Sequence, residues 1–383
     1  MKQMLTFIFL VLAGVSAMAQ DISSDMKAAF ANQDYIQAIA LSRSCYESDT
    51  NNIECLRILA TASNKSGDQA TAKTYLHVLE KKDSSNTSIY VQLASIYEQQ
   101  QQLPKAIKYY TILNKLLPDH SIYYRKNAIL YNGYGDRSEA LRLFSKANKL
   151  TPRDILTLKG LAELAISNEQ MSTADSLIKV ALELDSMDIR MNYLSARSKY
   201  KQKQYYEVTE VFHRISGQVD LNSYYNKMLG YAYLQIDSVD RAISKFQLAL
   251  VDDRSPEKLH YYLGTAYEKK DNIQGALEHY AKAVKSGISP DLDLYHRNVG
   301  RLALKEKKYK VAISAYKDAY KYGNDPVVLY YLAAASDNYY EDKSIAIGYY
   351  KRYLKSSHNH KEYKDYAAKR IRYLKEGLHQ KKT

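Results

Sequence analysis

Residues 257–290 read EKLHYYLGTAYEKKDNIQGALEHYAKAVKSGISP, and this stretch decides the fold. Apolar and aromatic residues recur at spacings of three and four on both sides of the Asp271-Asn272 pair. That periodicity predicts two amphipathic helices, roughly Glu257 to Lys269 and Gln274 to Ser286, joined by a tight turn. Pro290 closes the stretch at a position where it ends one helix without interrupting another.

The stretch is one copy of a repeat of 34 residues. One column of small residues follows that spacing, and after a two-residue insertion it resumes: Ala38, Ala72, Ala106, Ala140, Ala174, Val208, Ala242, Ala276, then Ala312 and Ala346. A second column runs beside it: Ala60, Ala94, Ala128, Ala162, Ala196, Gly230, Gly264, Gly300 and Ala334. Small side chains at both columns allow two helices to cross closely. A period of this length indicates a stacked array of helical hairpins, which presents a long surface rather than an enclosed pocket.

Composition agrees with an all-helical protein. Only 14 glycines and 6 prolines occur in 383 residues, too few turn residues for a β-rich chain of this length. The net charge of +13 favours anionic partners, but the basic residues are spread along the chain. We therefore expect no nucleic-acid partner.

The motif Leu263-Gly264-x-x-Tyr267, followed by Ala276, Tyr280 and Ala283, resembles the tetratricopeptide repeat. The resemblance implies an all-α, right-handed superhelical α-solenoid of about ten units. The units we expect within residues 20–356 are approximately 20–52, 53–86, 87–120, 121–154, 155–188, 189–222, 223–256, 257–292, 293–326 and 327–357. Residues 360–380 carry one apolar stripe and one basic face, which predicts a capping helix at the end of the array. A membrane contact through the basic face is the alternative.

The first residues are typical of a secretory signal. Lys2 supplies a positive start, residues 5–15 form a short apolar run, and Ala17-Met18-Ala19 gives the small-x-small pattern of a cleavage site. We expect residues 1–19 to be a signal peptide cleaved after Ala19. An uncleaved anchor is the alternative, although the apolar run is about half the length that a bilayer-spanning helix needs. No cysteine follows the apolar run, so a bacterial lipid anchor is not expected there. The mature protein is predicted to be exported, either periplasmic or secreted.

Cys45 and Cys55 are the two cysteines of the chain. In an oxidising compartment such a pair favours a disulfide. Two buried free thiols are the alternative, because the sequence does not give the Cα separation that the bond requires.

The resemblance implies that first helices line a concave groove, and this groove is the predicted site. The residues expected to bind there are Arg190, Tyr193, Arg197, Tyr200, Lys201, Tyr224, Lys227, Tyr231, Lys258, Tyr261, Arg297, Arg301 and Lys305, with Thr265, Glu268 and Lys269 on the same face. Nine of these are basic, one is acidic and five are tyrosines. Arg and Lys favour carboxylates, and Tyr adds contact area at a small entropic cost. The predicted function is a cell-envelope scaffold that binds an extended acidic segment of a protein partner.

Glycan or peptidoglycan binding is the alternative function, because tyrosines stack on sugar rings. The absence of tryptophan weighs against it. Catalysis is not expected, since the sequence lacks HExxH, GxxxxGK[ST] and GxSxG motifs. Nor does it predict a cofactor or a metal site, because His358 and His360 alone are too few ligands on a loop.

Overall fold

A computed structural model of the chain describes residues 23–253, 256–285, 289–356 and 360–380. Within those ranges every regular element is a helix, as the sequence predicts, and none is long and apolar enough to cross a membrane. The predicted signal peptide, residues 1–19, lies outside the described residues. The chain divides into two compact units, Met1–Leu194 and Ser195–Thr383.

The helices of the first unit run in the order α1 (23–31), α2 (Tyr35–Ser48), α3 (Ile53–Lys65), α4 (Gln69–Lys82), α5 (Thr87–Gln99), α6 (Leu103–Leu116), α7 (Ser121–Tyr134), α8 (Arg137–Leu150), α9 (Ile155–Ser167) and α10 (Met171–Leu184). The division between the units falls inside α11 (Ile189–Lys201). The second unit continues with α12 (Tyr205–Arg214), α13 (Ser223–Gln235), α14 (Val239–Leu250), α15 (Glu257–Lys269), α16 (Ile273–Lys285), α17 (Leu292–Lys305), α18 (Tyr309–Gly323), α19 (Pro326–Tyr339), α20 (Lys343–Lys355) and α21 (Lys361–Gln380).

In each unit the helices pack mainly on their neighbours along the chain. Helices α3 and α4 form one hairpin, α5 and α6 the next, and α4 packs on α5 between them. The second unit repeats the arrangement, with α15 and α16 as one hairpin and α17 and α18 as the next. This alternation of contacts within and between hairpins is that of an all-α solenoid.

The turn inside most hairpins contains one residue in the left-handed backbone region, and that residue recurs with the period of the sequence. It is glycine only at Gly67 and Gly135, with φ of 94° and 101°. Elsewhere it has φ between 56° and 62° and is one of Gln33, Gln101, Glu169, Lys203, Asp237, Asp271 and Lys307. A non-glycine residue costs about 1–2 kcal/mol in this region. Helix packing, rather than the turn, therefore enforces these hairpins.

The second column of small residues allows the two helices of a hairpin to approach closely. A Cβ atom on Gly230 would lie 3.3 Å from the carbonyl oxygen of Ala242 and 2.7 Å from Cδ1 of Phe246. Phe246 and Ala242 are fully buried. Glycine at this position therefore leaves room for the aromatic side chain that fills the hairpin.

Cys45 on α2 and Cys55 on α3 form a disulfide, with their Cα atoms 6.0 Å apart. That separation lies in the usual range for the bond. Cys55 is buried and packs with Met26 and Ile58. The bond therefore joins the second helix of the first hairpin to the first helix of the next.

We expect the Cys45→Ala, Cys55→Ala double variant to lose about 2–3 kcal/mol of unfolding free energy, because the bond closes a short loop of the unfolded chain. Urea unfolding followed by circular dichroism measures the loss. Adding a reductant to the wild-type protein should reproduce it and should leave the variant unchanged. Equal stability of the oxidised and reduced wild-type protein would contradict the expectation.

The C-terminal helix α21 covers the end of the second unit. Its Ala367 and Leu374 are buried against a cluster that includes Leu329 and Tyr350. Tyr363 hydrogen-bonds through its hydroxyl to the hydroxyl of Tyr331 at 2.9 Å. One face of α21 thus completes the core of the last hairpin, and its other face is exposed.

Candidate functional site

The predicted binding residues lie on the first helices of successive hairpins. Arg190 and Tyr193 lie in the part of α11 that belongs to the first unit. The other eleven lie in the second unit, on the rest of α11 and on α13, α15 and α17. The second unit therefore holds most of the candidate surface.

Carboxylates neutralise a large part of the positive charge of this candidate surface. Lys227 Nζ lies 3.0 Å from Asp253 Oδ2. Arg297 Nη1 donates to Asp325 Oδ2 at 3.0 Å, and its Nη2 donates to Asp293 Oδ2 at 2.9 Å. Asp253 and Asp325 lie at the junctions that lead into the next hairpin. Lys227 and Arg297 therefore stabilise the stack, in addition to any contact with a ligand.

Arg301 makes the best-formed pair on this surface. Its Nη1 and Nη2 donate to the two carboxylate oxygens of Glu268 on the preceding hairpin, at 2.8 and 2.7 Å. The hydrogen bond from Arg301 lowers the pKa of Glu268 below its usual value, and the charge of nearby Lys305 acts in the same direction. Lys269 pairs with Asp237 at 2.8 Å, and Lys258 lies 4.0 Å from Asp291.

Four predicted basic residues keep an unpaired charge in the described part of the chain: Arg190, Arg197, Lys201 and Lys305. Lys201 and Lys305 are exposed, and Arg197 is half-buried. The positive charge available on this face thus comes from fewer side chains than the nine basic residues that the sequence analysis predicted. Arg190, Arg197 and Lys201 are the ones that an anionic ligand meets without competing against an internal carboxylate, whereas the charge of Lys305 also acts on Glu268.

The tyrosines of the face mostly pack on one another. The rings of Tyr200, Tyr205 and Tyr231 form a triangle with centroids 5.8–5.9 Å apart, and Tyr231 continues to Tyr262 at 5.0 Å. Burial raises the pKa of Tyr262 to about 12. Tyr224, at 52% exposure, is the one that presents most of its surface to solvent. Packing between neighbouring first helices therefore explains most of these residues.

A pocket of about 210 Å³ lies on this face of the second unit. It is lined by Leu294, Arg297, Asn298, Arg301, Tyr316 and Tyr331. The Tyr316 hydroxyl and the Arg297 Nε are buried and have no hydrogen-bond partner among the described residues. Both are donors without an acceptor, and since neither atom exposes surface, a ligand reaches them only once a lining side chain moves. Two of the predicted residues, Arg297 and Arg301, are thus brought together.

A larger cavity, of about 440 Å³, was not predicted from the sequence. It lies under the loop after α12, among Phe212, Ile215, Val219, Leu221, Leu229 and Leu248. Helix α12 has 10 residues, whereas α10 has 14, and the missing turn leaves the space open. Gly217 is the residue from which the shorter helix could have been predicted. It stands at the position that Lys115 and Lys149 occupy inside the second helix of other repeats.

The tetratricopeptide repeat family model matches residues 227–293 and 261–327, which include the pocket-lining positions on α17. The hairpins and their turn residues continue in the same register outside the matched region. Residues 227–327 are thus similar to tetratricopeptide repeats, as the motif at Leu263-Gly264 predicts. Repeats of this family generally bind protein partners as scaffolds and are generally not catalytic. No curated protein matches the sequence.

Solved structures similar to the chain include three bacterial proteins. A tetratricopeptide repeat protein from Parabacteroides merdae is 17% identical, with a TM-score of 0.46, over 66% of this chain and 98% of that one. PilF from Pseudomonas aeruginosa is 19% identical, with a TM-score of 0.43, over 54% and 94%. Residues 41 to the end of MamA from Desulfovibrio magneticus are 22% identical, with a TM-score of 0.40, over 43% and 93%.

Proposed function

We propose that the protein is an exported scaffold that binds an extended, carboxylate-bearing segment of a protein partner on the first helices of its second unit. The pocket between Arg297 and Arg301 carries the proposal. Beside it lie two buried donors without acceptors, which a carboxylate or carbonyl oxygen satisfies once a lining side chain moves. Lys305, at the end of the same helix, adds an unpaired positive charge.

Two observations support export. The sequence begins with the pattern of a secretory signal, and the disulfide between Cys45 and Cys55 suits an oxidising compartment. N-terminal sequencing of the mature protein tests this step. A chain that starts at Gln20 supports it, and a chain that starts at Met1 contradicts it.

The glycan alternative needs aromatic faces that are open to sugar rings. Most tyrosines of the second unit's first helices are packed edge-to-face against other tyrosines; Tyr224 packs on Tyr225 in this way and is the most exposed of those discussed above. The surface therefore favours a peptide ligand, whose carboxylates need cations and donors rather than stacking platforms.

We expect Tyr316→Phe to weaken binding of a labelled glutamate-rich peptide by about three- to tenfold, the effect of losing one hydrogen bond. The fold should be retained, because Phe212 and Phe246 stand at the position equivalent to Tyr316 in the second helices of other hairpins. Fluorescence anisotropy at low ionic strength measures the affinity. Tyr350→Phe is the matched control, since its hydroxyl is also buried without a partner but does not line this pocket.

A second pair of variants distinguishes binding at the first helices from general attraction of the peptide to a positively charged protein. Lys201→Gln with Lys305→Gln removes two unpaired charges from first helices. Lys310→Gln with Lys317→Gln removes two exposed charges from α18, a second helix, and changes the net charge equally. Loss of peptide binding in the first double variant alone supports the proposal. Equal losses in both, or an unchanged affinity in Tyr316→Phe, would place the site elsewhere.

A further inference from the structure

Two histidines meet at the interface of one hairpin. His260 lies on α15 and His279 on α16, and their Nδ1 atoms are 3.2 Å apart. The ring centroids are separated by 5.3 Å. Because the two helices are packed along their length, the rings are held together by the fold rather than by a flexible loop.

Both rings are neutral at neutral pH. Burial is the main cause, and it lowers the pKa of His260 below its ordinary value and that of His279 to about 4, with the charge of His260 also contributing at His279. In the tautomer that carries its proton on Nδ1, one ring donates to the lone pair of the other Nδ1. Tyr267 stacks on His279 with the centroids 5.2 Å apart, which fixes the orientation of that ring.

We propose that His260 and His279 form a two-histidine site for a late first-row divalent metal ion. Neutral imidazole nitrogen is a preferred ligand of copper, nickel and zinc. Two metal–nitrogen bonds of about 2.1 Å to atoms 3.2 Å apart enclose an angle of about 100°. This value lies between the right angle of an octahedral site and the tetrahedral angle. The metal takes the place of the shared proton, which moves from Nδ1 to Nε2 of the same ring.

Water completes the coordination, because the described residues contain no cluster of three or more His, Cys, Asp or Glu side chains suited to a metal. Glu278 is adjacent in sequence to His279, but its Oε1 pairs with Lys282 Nζ at 2.6 Å. The ammonium of Lys282 also repels a cation. Binding is therefore expected to be moderate, and to follow the ligand preference in which copper exceeds nickel and zinc.

A bound ion would link the two helices of the hairpin. Any ligand that binds the folded state and not the unfolded state raises the melting temperature in proportion to the logarithm of its concentration. Metal binding at this site should therefore be visible in the stability of the second unit, without any assumption about the peptide partner.

The test uses the purified full-length protein with CuCl2, NiCl2 or ZnCl2 alone. We expect the wild-type protein to bind one more ion in equilibrium dialysis than His260→Gln or His279→Gln, and to melt several degrees higher with the metal. Each variant should lose affinity at this site by at least about tenfold, the loss of one of two ligands. Circular dichroism without metal confirms that the variants are folded.

His296→Gln is the matched control. His296 lies on α17, is half-buried, and stacks on Tyr322, and no other histidine among the described residues forms a recorded contact with it. It should bind as many ions as the wild-type protein and show the same thermal shift. Equal metal uptake by the wild-type protein and both His260 and His279 variants would overturn the proposal, as would an equal loss in His296→Gln.

Discussion

Gly264→Leu should destabilise the second unit by about 3 kcal/mol or more, the upper range for overpacking a core. A Cβ atom on Gly264 would lie 2.6 Å from Cδ1 and 3.0 Å from Cγ of Tyr280. Tyr280 cannot move far enough to admit a leucine, because it is buried and its hydroxyl contacts Thr265 and Glu268, each at 3.2 Å. The larger side chain therefore forces the two helices of the hairpin apart. Urea unfolding, with circular dichroism as the signal, measures the loss.

Gly264→Ala provides the matched control. Ala94 stands in the same column and belongs to the same buried cluster as Tyr110. One methyl group therefore fits beside a tyrosine once the ring shifts slightly, and alanine is favoured over glycine within a helix by about 1 kcal/mol. We expect this variant to lie within about 1 kcal/mol of the wild-type protein. Equal stability of the leucine and alanine variants would contradict the explanation that small residues are needed in this column to let the two helices approach closely.

The small columns also explain how much of the fold could be predicted from the sequence. Each hairpin needs a small residue where its helices cross, and each crossing recurs after 34 residues, as at Gly230 and Gly264. The requirement is local and repeated, so the sequence displays it directly. The positions of the two helices that meet at each crossing are predicted by the same period of 34 residues. The short α12 was missed because it departs from the period at a single turn, near Gly217.

The site was predicted less well, for a physical reason. Basic residues could be assigned to one face by counting along each first helix. Their partners, such as Asp325 for Arg297 and Glu268 for Arg301, lie 28 and 33 residues away. Whether such atoms meet depends on how neighbouring hairpins stack, which a helical period does not specify. An acidic residue about one repeat away from a basic residue is the sequence pattern that indicates such an ion pair between neighbouring hairpins.

Arg370→Met should cost about 3–5 kcal/mol, because it leaves a carboxylate buried without a hydrogen-bond donor. Arg370 Nε donates to Asp337 Oδ2 at 2.7 Å, and the Asp337 side chain is 4% exposed. Lys343 Nζ lies 3.8 Å from the other carboxylate oxygen, too far for a hydrogen bond. Because Arg370 lies on α21, the loss should appear first as detachment of that helix. Hydrogen exchange of the α21 amides, compared with global unfolding, measures it.

Arg372→Met is the matched control, since Arg372 is an exposed residue of the same helix and its replacement should change stability by less than about 0.5 kcal/mol. The double variant Asp337→Leu, Arg370→Met separates the two causes. A buried ion pair can be replaced by apolar residues with little loss, so the double variant should recover most of the stability that Arg370→Met loses. Failure to recover would mean that α21 is held by the shape of Asp337 and its neighbours rather than by compensation of a buried charge. Recovery, with restored protection of the α21 amides, would identify the carboxylate left without a hydrogen-bond donor as the reason that the helix detaches.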